Sequence, residues 1–209
     1  MKRIGKICII TDTVIQKKYS HFEIAKLAIK GGADIIQLRD KSISTSELIE
    51  TAKKIAILCR KNSVLFLVND RVDVAIVSGA DGVHLGQEDI PIKDARKLLG
   101  RNRIIGGTAH SMKEAVQCEK DGADYIGYGH IYRTLSKHKP DKPKRTENLK
   151  KIVAKISIPV FAIGGISPKN INEVVQTYVH GAAFIGSVLK SIDPVKTIKE
   201  LRKKMYAIK

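Results

Sequence analysis

The residues best able to do chemistry in this 209-residue chain fall in short polar groups, each just after a run of apolar residues. Arg39 and Lys41 come first. Two apart at the end of a strand-like run, they point the same way, so a guanidinium fork and a mobile ammonium can meet on one anion. Bound diphosphate is the obvious occupant, and a salt bridge to a neighbouring helix is the plain alternative. Asp70 and Asp89 follow two successive runs. Two carboxylates there suit a hydrated Mg2+ shared with substrate phosphates, yet each could equally cap the helix after it. Gly164-Gly165-Ile166-Ser167-Pro168 and Gly186-Ser187 offer backbone N–H groups to a second phosphate. Thr134, Ser136 and Lys137 lie on an irregular Lys- and Pro-rich stretch from Arg133 to Arg145, which can close over an anion or simply be solvated. His84, His110 and His130 lack metal-ligand spacing. His130, at a strand tip beside that loop, is the one placed to move a proton near pH 7.

The elements that must position these groups are announced by a repeat. Gly-Ala-Asp-Ile-Ile-Gln begins at Gly32, Gly-Ala-Asp-Gly-Val-His at Gly79, Gly-Ala-Asp-Tyr-Ile-Gly at Gly122 and Gly-Ala-Ala-Phe-Ile-Gly at Gly181. Each copy follows an amphipathic stretch and opens an apolar run, as expected where a helix ends on glycine and passes into a buried strand. Four more β-branched runs lie between them: Ile7 to Thr11, Val64 to Val68, Ile104 to Gly107 and Pro159 to Ile163. Amphipathic segments fill the gaps, namely Glu23 to Lys30, Ser46 to Arg60, Pro91 to Leu99, Met112 to Lys120, Asn148 to Lys155, Asn170 to Thr177 and Pro194 to Met205. Eight strands alternating with helices predict an α/β fold, a (β/α)8 TIM barrel occupying residues 1–209 as one domain. An evenly spread repeat argues against a doubly wound open sheet. In such a barrel the chemistry sits at the carboxyl ends of the strands, which is where the polar groups fall.

Composition narrows the function class. With 43% hydrophobic and 28% charged residues, and no apolar run long enough to span a bilayer, the chain reads as cytoplasmic and not membrane-bound. Cys8, Cys59 and Cys118 are odd in number and widely spaced, so they read as packing residues. The net charge of +17 raises the question of nucleic acid. The lysines are dispersed over the helical segments, and aromatic residues make up only 5%, without basic and aromatic interleaving. A solvated surface that draws in small anions is the better reading.

Four segments carry a family likeness: Gln37-Leu38-Arg39-Asp40-Lys41, Val68-Asn69-Asp70-Arg71-Val72-Asp73, Gly82-Val83-His84-Leu85-Gly86-Gln87-Glu88-Asp89 and Ala162-Ile163-Gly164-Gly165-Ile166. Through them the chain resembles the thiamine phosphate synthase and thiazole tautomerase superfamily, over nearly its whole length. On the synthase side the resemblance implies that Gln37, Arg39, Lys41 and Asn69 hold the diphosphate of a hydroxymethylpyrimidine substrate, and that Asp70 and Asp89 bind Mg2+. It also implies loop contacts from Thr134, Ser136 and Lys137, and a thiazole phosphate at Gly165, Gly186 and Ser187. The implied reaction is displacement of diphosphate from the pyrimidine methylene by the thiazole nitrogen. Three features depart from the synthase pattern. Gly129-His130-Ile131-Tyr132 replaces the usual Gly-Pro-Ile-Phe and looks like the tautomerase. Thr134-Leu135-Ser136-Lys137 replaces Thr-x-Thr-Lys with a serine and sits among other changes, and Thr108 stands for serine. The tautomerase typically lacks the paired aspartates, so Arg39, Lys41, Asp70 and Asp89 favour a synthase, with a tautomerase acting through His130 as the alternative. The expected partners are small phosphorylated pyrimidine and thiazole substrates, with no nucleic acid and no membrane, and a homodimer is the assembly to test for.

Overall fold

Parallel strands alternate with helices along the computed structural model, which describes residues 4–134 and 142–207. The strands are β1 (Ile7–Thr11), β2 (Ile35–Leu38), β3 (Leu65–Asn69), β4 (Gly82–Leu85), β5 (Ile104–Ala109), β6 (Tyr125–Gly129), β7 (Val160–Ile163) and β8 (Gly181–Phe184). The helices are α1 (His21–Gly31), α2 (Thr45–Lys61), α3 (Val72–Ser78), α4 (Ile92–Leu99), α5 (Met112–Lys120), α6 (Arg145–Lys155), α7 (Ile171–Val175), α8 (Gly186–Leu189) and α9 (Pro194–Tyr206). Each strand pairs with its successor, and β8 returns to β1 through Ile7 opposite Ala182 and Ile9 opposite Phe184, closing the barrel. This is the (β/α)8 architecture that the repeat predicts. No helix among the described residues is long and apolar enough to cross a membrane.

The period of two along each strand divides the core. Ile7, Ile9, Ile36, Phe66 and Val68 face outward into the layer shared with the helices. Cys8, Ile10, Ile35, Leu67, Tyr125 and Phe161 fill the barrel interior. Gly106 makes room there, because a Cβ on it would come within 2.1 Å of the Tyr125 ring. Burial pushes the Cys8 thiol up to about 12, with Asp34 adding to the shift, so it stays a protonated packing group.

Three copies of the repeat share one local structure. Gly32, Gly79 and Gly122 each take positive φ where a helix ends, a conformation open to glycine at little cost. The aspartate two residues on then accepts from the start of the preceding strand: Asp34 from the Ile7 N–H, Asp81 from the Phe66 N–H and Asp124 from the Ile105 N–H. The fourth copy departs from the expectation. Gly181 opens β8 itself, and the left-handed corner falls three residues earlier, at Tyr178 (φ 59°). His180 stands in the aspartate's place, its Nε2 donating to the Ile4 carbonyl at 2.9 Å.

Helix starts follow side-chain chemistry. Ser20 with Glu23 and Ser44 with Glu47 form reciprocal capping boxes on α1 and α2, and Asp193 with Pro194 opens α9. Helices α3 and α8 are absent from the amphipathic segments read from the sequence. The first reads Val-Asp-Val-Ala-Ile-Val-Ser, a β-branched run that only packing against the barrel makes helical, and the second is a single turn.

Candidate active site

Following the inward alternation to the strand ends and up to three residues beyond places the polar groups at the carboxyl end of the barrel. Gln37 leads to Arg39 and Lys41, Leu67 to Asn69, and His84 to Gly86, while Thr108 leads to His110. Together with Asp70, Asp89, His130 and Thr134, all of these except Leu67 line a cavity of about 400 Å3, a size suited to a small-molecule substrate. Ser136 and Lys137 lie outside the described residues.

Arg39 does form a salt bridge, but not to a helix. Its Nη1 donates to Asp12 Oδ2 at 2.5 Å, at the end of β1, and Asp12 is 3% exposed. Nε of Arg39 is buried without a hydrogen-bond partner among the described residues. A buried guanidinium N–H facing no acceptor is costly in the free protein, and a ligand oxygen would relieve that cost.

Lys41 Nζ is 2.9 Å from Asp70 Oδ2. Neither aspartate serves as a helix cap. Asp70 is in the left-handed region at φ 64°, and Arg71 precedes α3 without a side-chain cap bond. Asp89 accepts from the Gly86 N–H at 2.6 Å, while Pro91 occupies the N-cap of α4. Burial, and then a hydrogen bond with Asp70, push the Asp89 carboxyl above the usual range, with Lys41 opposing. Among the described residues no group of three or more His, Cys, Asp or Glu side chains is arranged to hold a metal. Two carboxylates pressed together still fit a divalent cation that takes its other ligands from water and phosphate oxygens.

The histidines differ in their surroundings. His84 bridges Tyr125 Oη at 2.8 Å and Thr108 Oγ1 at 2.9 Å, so both ring nitrogens are engaged deep in the barrel. His110 Nδ1 donates to the Gly129 carbonyl at 2.7 Å. His130 is buried and in the cavity wall. The two ends of the loop beyond it are tied together, since Lys144 N–H donates to the His130 carbonyl at 2.8 Å and Arg145 N–H to Ile131 at 3.1 Å.

A second cavity of about 260 Å3 adjoins the first, sharing Thr134, Ile163, Gly164, Ala183 and Ile185. Gly165, Gly186 and Ser187 line it, with Arg133 and Lys190. Gly165 has φ 68°, and a Cβ there would fall 2.5 Å from the Arg133 carbonyl, so only glycine lets the loop from β6 cross it. Among the described residues no carboxylate lines this cavity. Lys190 was missed from sequence, although it sits one helical turn beyond Gly186 and so on the same face.

The chain is similar to known proteins over most of its length. A family profile described as thiamine monophosphate synthase matches residues 7–188. The thiamine-phosphate synthase of Chlorobium limicola is 45% identical over 195 residues, covering 93% of this chain and 91% of its own. That of Chlorobium phaeobacteroides is 44% identical over 200 residues, covering 94% and 96%. A solved structure of thiamine phosphate pyrophosphorylase from Pyrococcus furiosus is 41% identical and superimposes with a TM-score of 0.89, covering 97% of this chain and 96% of that one.

Proposed function

The chain belongs to the thiamine monophosphate synthase family, and from that premise we propose how its barrel mouth joins hydroxymethylpyrimidine diphosphate to thiazole phosphate as a Mg2+-dependent transferase. The observation that carries the reading is the pairing of two adjoining anion sites. One holds Arg39 with an unmet buried Nε beside Lys41, Asp70 and Asp89; the other is the cavity at Gly165, Gly186 and Ser187, whose described lining holds Arg133 and Lys190 and no carboxylate. Their shared wall brings two phosphorylated molecules together, which converts an encounter into a positioned reaction.

In this reading the thiazole nitrogen attacks the pyrimidine methylene carbon as the carbon–oxygen bond to diphosphate breaks, and the electron pair leaves on the diphosphate oxygen. Gln37, Arg39, Lys41 and Asn69 hold that diphosphate. Arg39 and Lys41 stabilise the charge that develops on it, a role we propose also for Lys137, which lies outside the described residues. Asp70 and Asp89 would hold Mg2+, which when bound screens the negative charge of the leaving group. Thr134 borders the bound substrates, a role we propose also for Ser136 outside the described residues, and Thr108 shapes the floor with His84. We take the enzyme as one cytoplasmic domain over residues 1–209 that works on small substrates and pairs as a homodimer.

His130 in the cavity wall keeps a second activity in view, proton transfer on a thiazole carboxylate phosphate. One assay separates the two. Supplied with both substrates, the enzyme is expected to release diphosphate only with Mg2+ and to lose that activity in Asp89→Ala. Undiminished turnover in EDTA would sink the synthase mechanism. A metal-independent isomerisation that survives Asp89→Ala and disappears in His130→Ala would establish the second activity.

A further inference from the structure

A buried polar cluster lies directly behind Arg39 and Lys41. The alternation that turns those two into the cavity turns Asp40 away from it, and the Asp40 side chain is 1% exposed. Asp40 Oδ1 accepts from Ser42 N–H and Ser42 Oγ, both at 2.7 Å, and from Ile43 N–H at 3.2 Å. Asp40 Oδ2 accepts from Thr13 Oγ1 at 3.1 Å and lies 2.7 Å from His21 Nε2. The other imidazole nitrogen, Nδ1, is 2.7 Å from Thr11 Oγ1, which also accepts from Arg39 N–H at 3.3 Å.

One arrangement of protons satisfies every member. Arg39 N–H donates to the Thr11 hydroxyl, the hydroxyl donates to His21 Nδ1, and Nε2–H donates to Asp40. His21 thus links the end of β1 to the backbone on both sides of Asp40, from the first residue of α1. On the opposite flank Asp12 grips the Arg39 guanidinium and is itself fixed by the Val14 and Ile15 N–H groups, each at 3.0 Å. An apolar residue at position 21 would cover the strand end without desolvating a polar ring. A fully bonded imidazole instead specifies a single geometry for the segment that carries both cations.

We propose that His21 is a positioning residue for the leaving diphosphate: through Thr11 and Asp40 it fixes the Arg39–Lys41 backbone so that both cations address the same anion. The inference rests on the reading of Arg39 and Lys41 as the diphosphate-binding pair. His21 touches no substrate, and its effect is to be read through the residues it orients.

The test compares wild type with His21→Leu, His21→Gln and Thr11→Val. Calorimetry measures binding of inorganic diphosphate in excess Mg2+, and steady-state kinetics give KM for each substrate. A glutamine amide can accept from Thr11 and donate to Asp40. His21→Leu and Thr11→Val are expected to weaken diphosphate binding by about tenfold to a hundredfold, the scale of a 1 Å misplacement. KM for the thiazole phosphate should stay within about twofold, since Thr11, His21 and Asp40 are not among the described residues that line the second cavity, and His21→Gln should recover most of the loss. If His21→Leu does not fold, the near-isosteric Thr11→Val carries the comparison. Unchanged diphosphate binding in the folded variants, or an equal rise in both KM values with no rescue by glutamine, would overturn the positioning role alone. A wild-type protein that fails to bind inorganic diphosphate would overturn the underlying reading of Arg39 and Lys41, and this inference with it.

Discussion

Lys41 Nζ stands 2.9 Å from Asp70 Oδ2, and the same aspartate shares a hydrogen bond with Asp89. Lys41 is thus set beside two crowded carboxylates, and that crowding carries an electrostatic cost that a divalent ion would remove. Asp89→Asn keeps an oxygen for the Gly86 N–H and gains a donor toward Asp70. It is expected to stabilise the metal-free protein by about 0.5–2 kcal/mol, raising Tm by about 2–4 °C per kcal/mol for a chain of this size. It should also abolish Mg2+-dependent diphosphate release. Thermal denaturation with and without MgCl2 checks both sides: added Mg2+ should raise Tm of the wild type and leave the variant where it is. A variant less stable than wild type without metal would contradict the argument.

Arg39 carries a structural charge as well as a ligand site, because Asp12 beneath it is 3% exposed. Removing the guanidinium in Arg39→Met leaves that carboxylate without its cation, a loss of about 3–5 kcal/mol for a buried pair. The Val14 and Ile15 N–H groups, which stay bonded to Asp12, should hold the loss to the lower end. Adding Asp12→Asn should restore most of the stability in urea denaturation, while diphosphate binding stays lost in both variants. If the double variant is no more stable than Arg39→Met, the two side chains are not energetically coupled.

The alternation that fills the barrel also explains what could be read in advance. Inward positions continue past the strand ends as polar residues, so Arg39 and Lys41 were visible as a pair from spacing and type, whereas Gln37, Asn69 and Thr108 gained a role only through the family resemblance. His21 was not. Its partners are 10 and 19 residues away, and nothing in the spacing distinguishes it from any residue that follows a capping serine. The capping alternatives for Asp70 and Asp89 could be dismissed only by backbone geometry, through a left-handed φ at one and a proline at the other's expected cap. The fourth repeat misled for a related reason. Tyr178 adopts the corner that glycine takes in the other copies, so composition pointed to Gly181 while the chain turned three residues before it.

Asp40 gives the cluster behind the site a pH signature. Burial works to raise its carboxyl, but the side-chain hydrogen bonds from Ser42 and His21 and the N–H groups of Ser42 and Ile43 outweigh it, so the group ends well below the ordinary value of 3.8. The folded state therefore binds the proton less readily than the unfolded chain. The stabilisation is fully present above the ordinary value and is lost as pH falls from there toward the folded-state value. At pH 7 Asp40→Asn should cost about 1–3 kcal/mol, the scale of hydrogen bonds to a charged group. Below about pH 4 the wild type alone weakens through this group, so the difference between the two proteins should narrow steadily with acidification. Urea midpoints for both proteins across pH 7 to 3 measure the difference directly. A gap that stays constant with pH would mean that the charge on Asp40 does not contribute to the strength of the network joining Thr11, His21 and the Arg39–Lys41 turn.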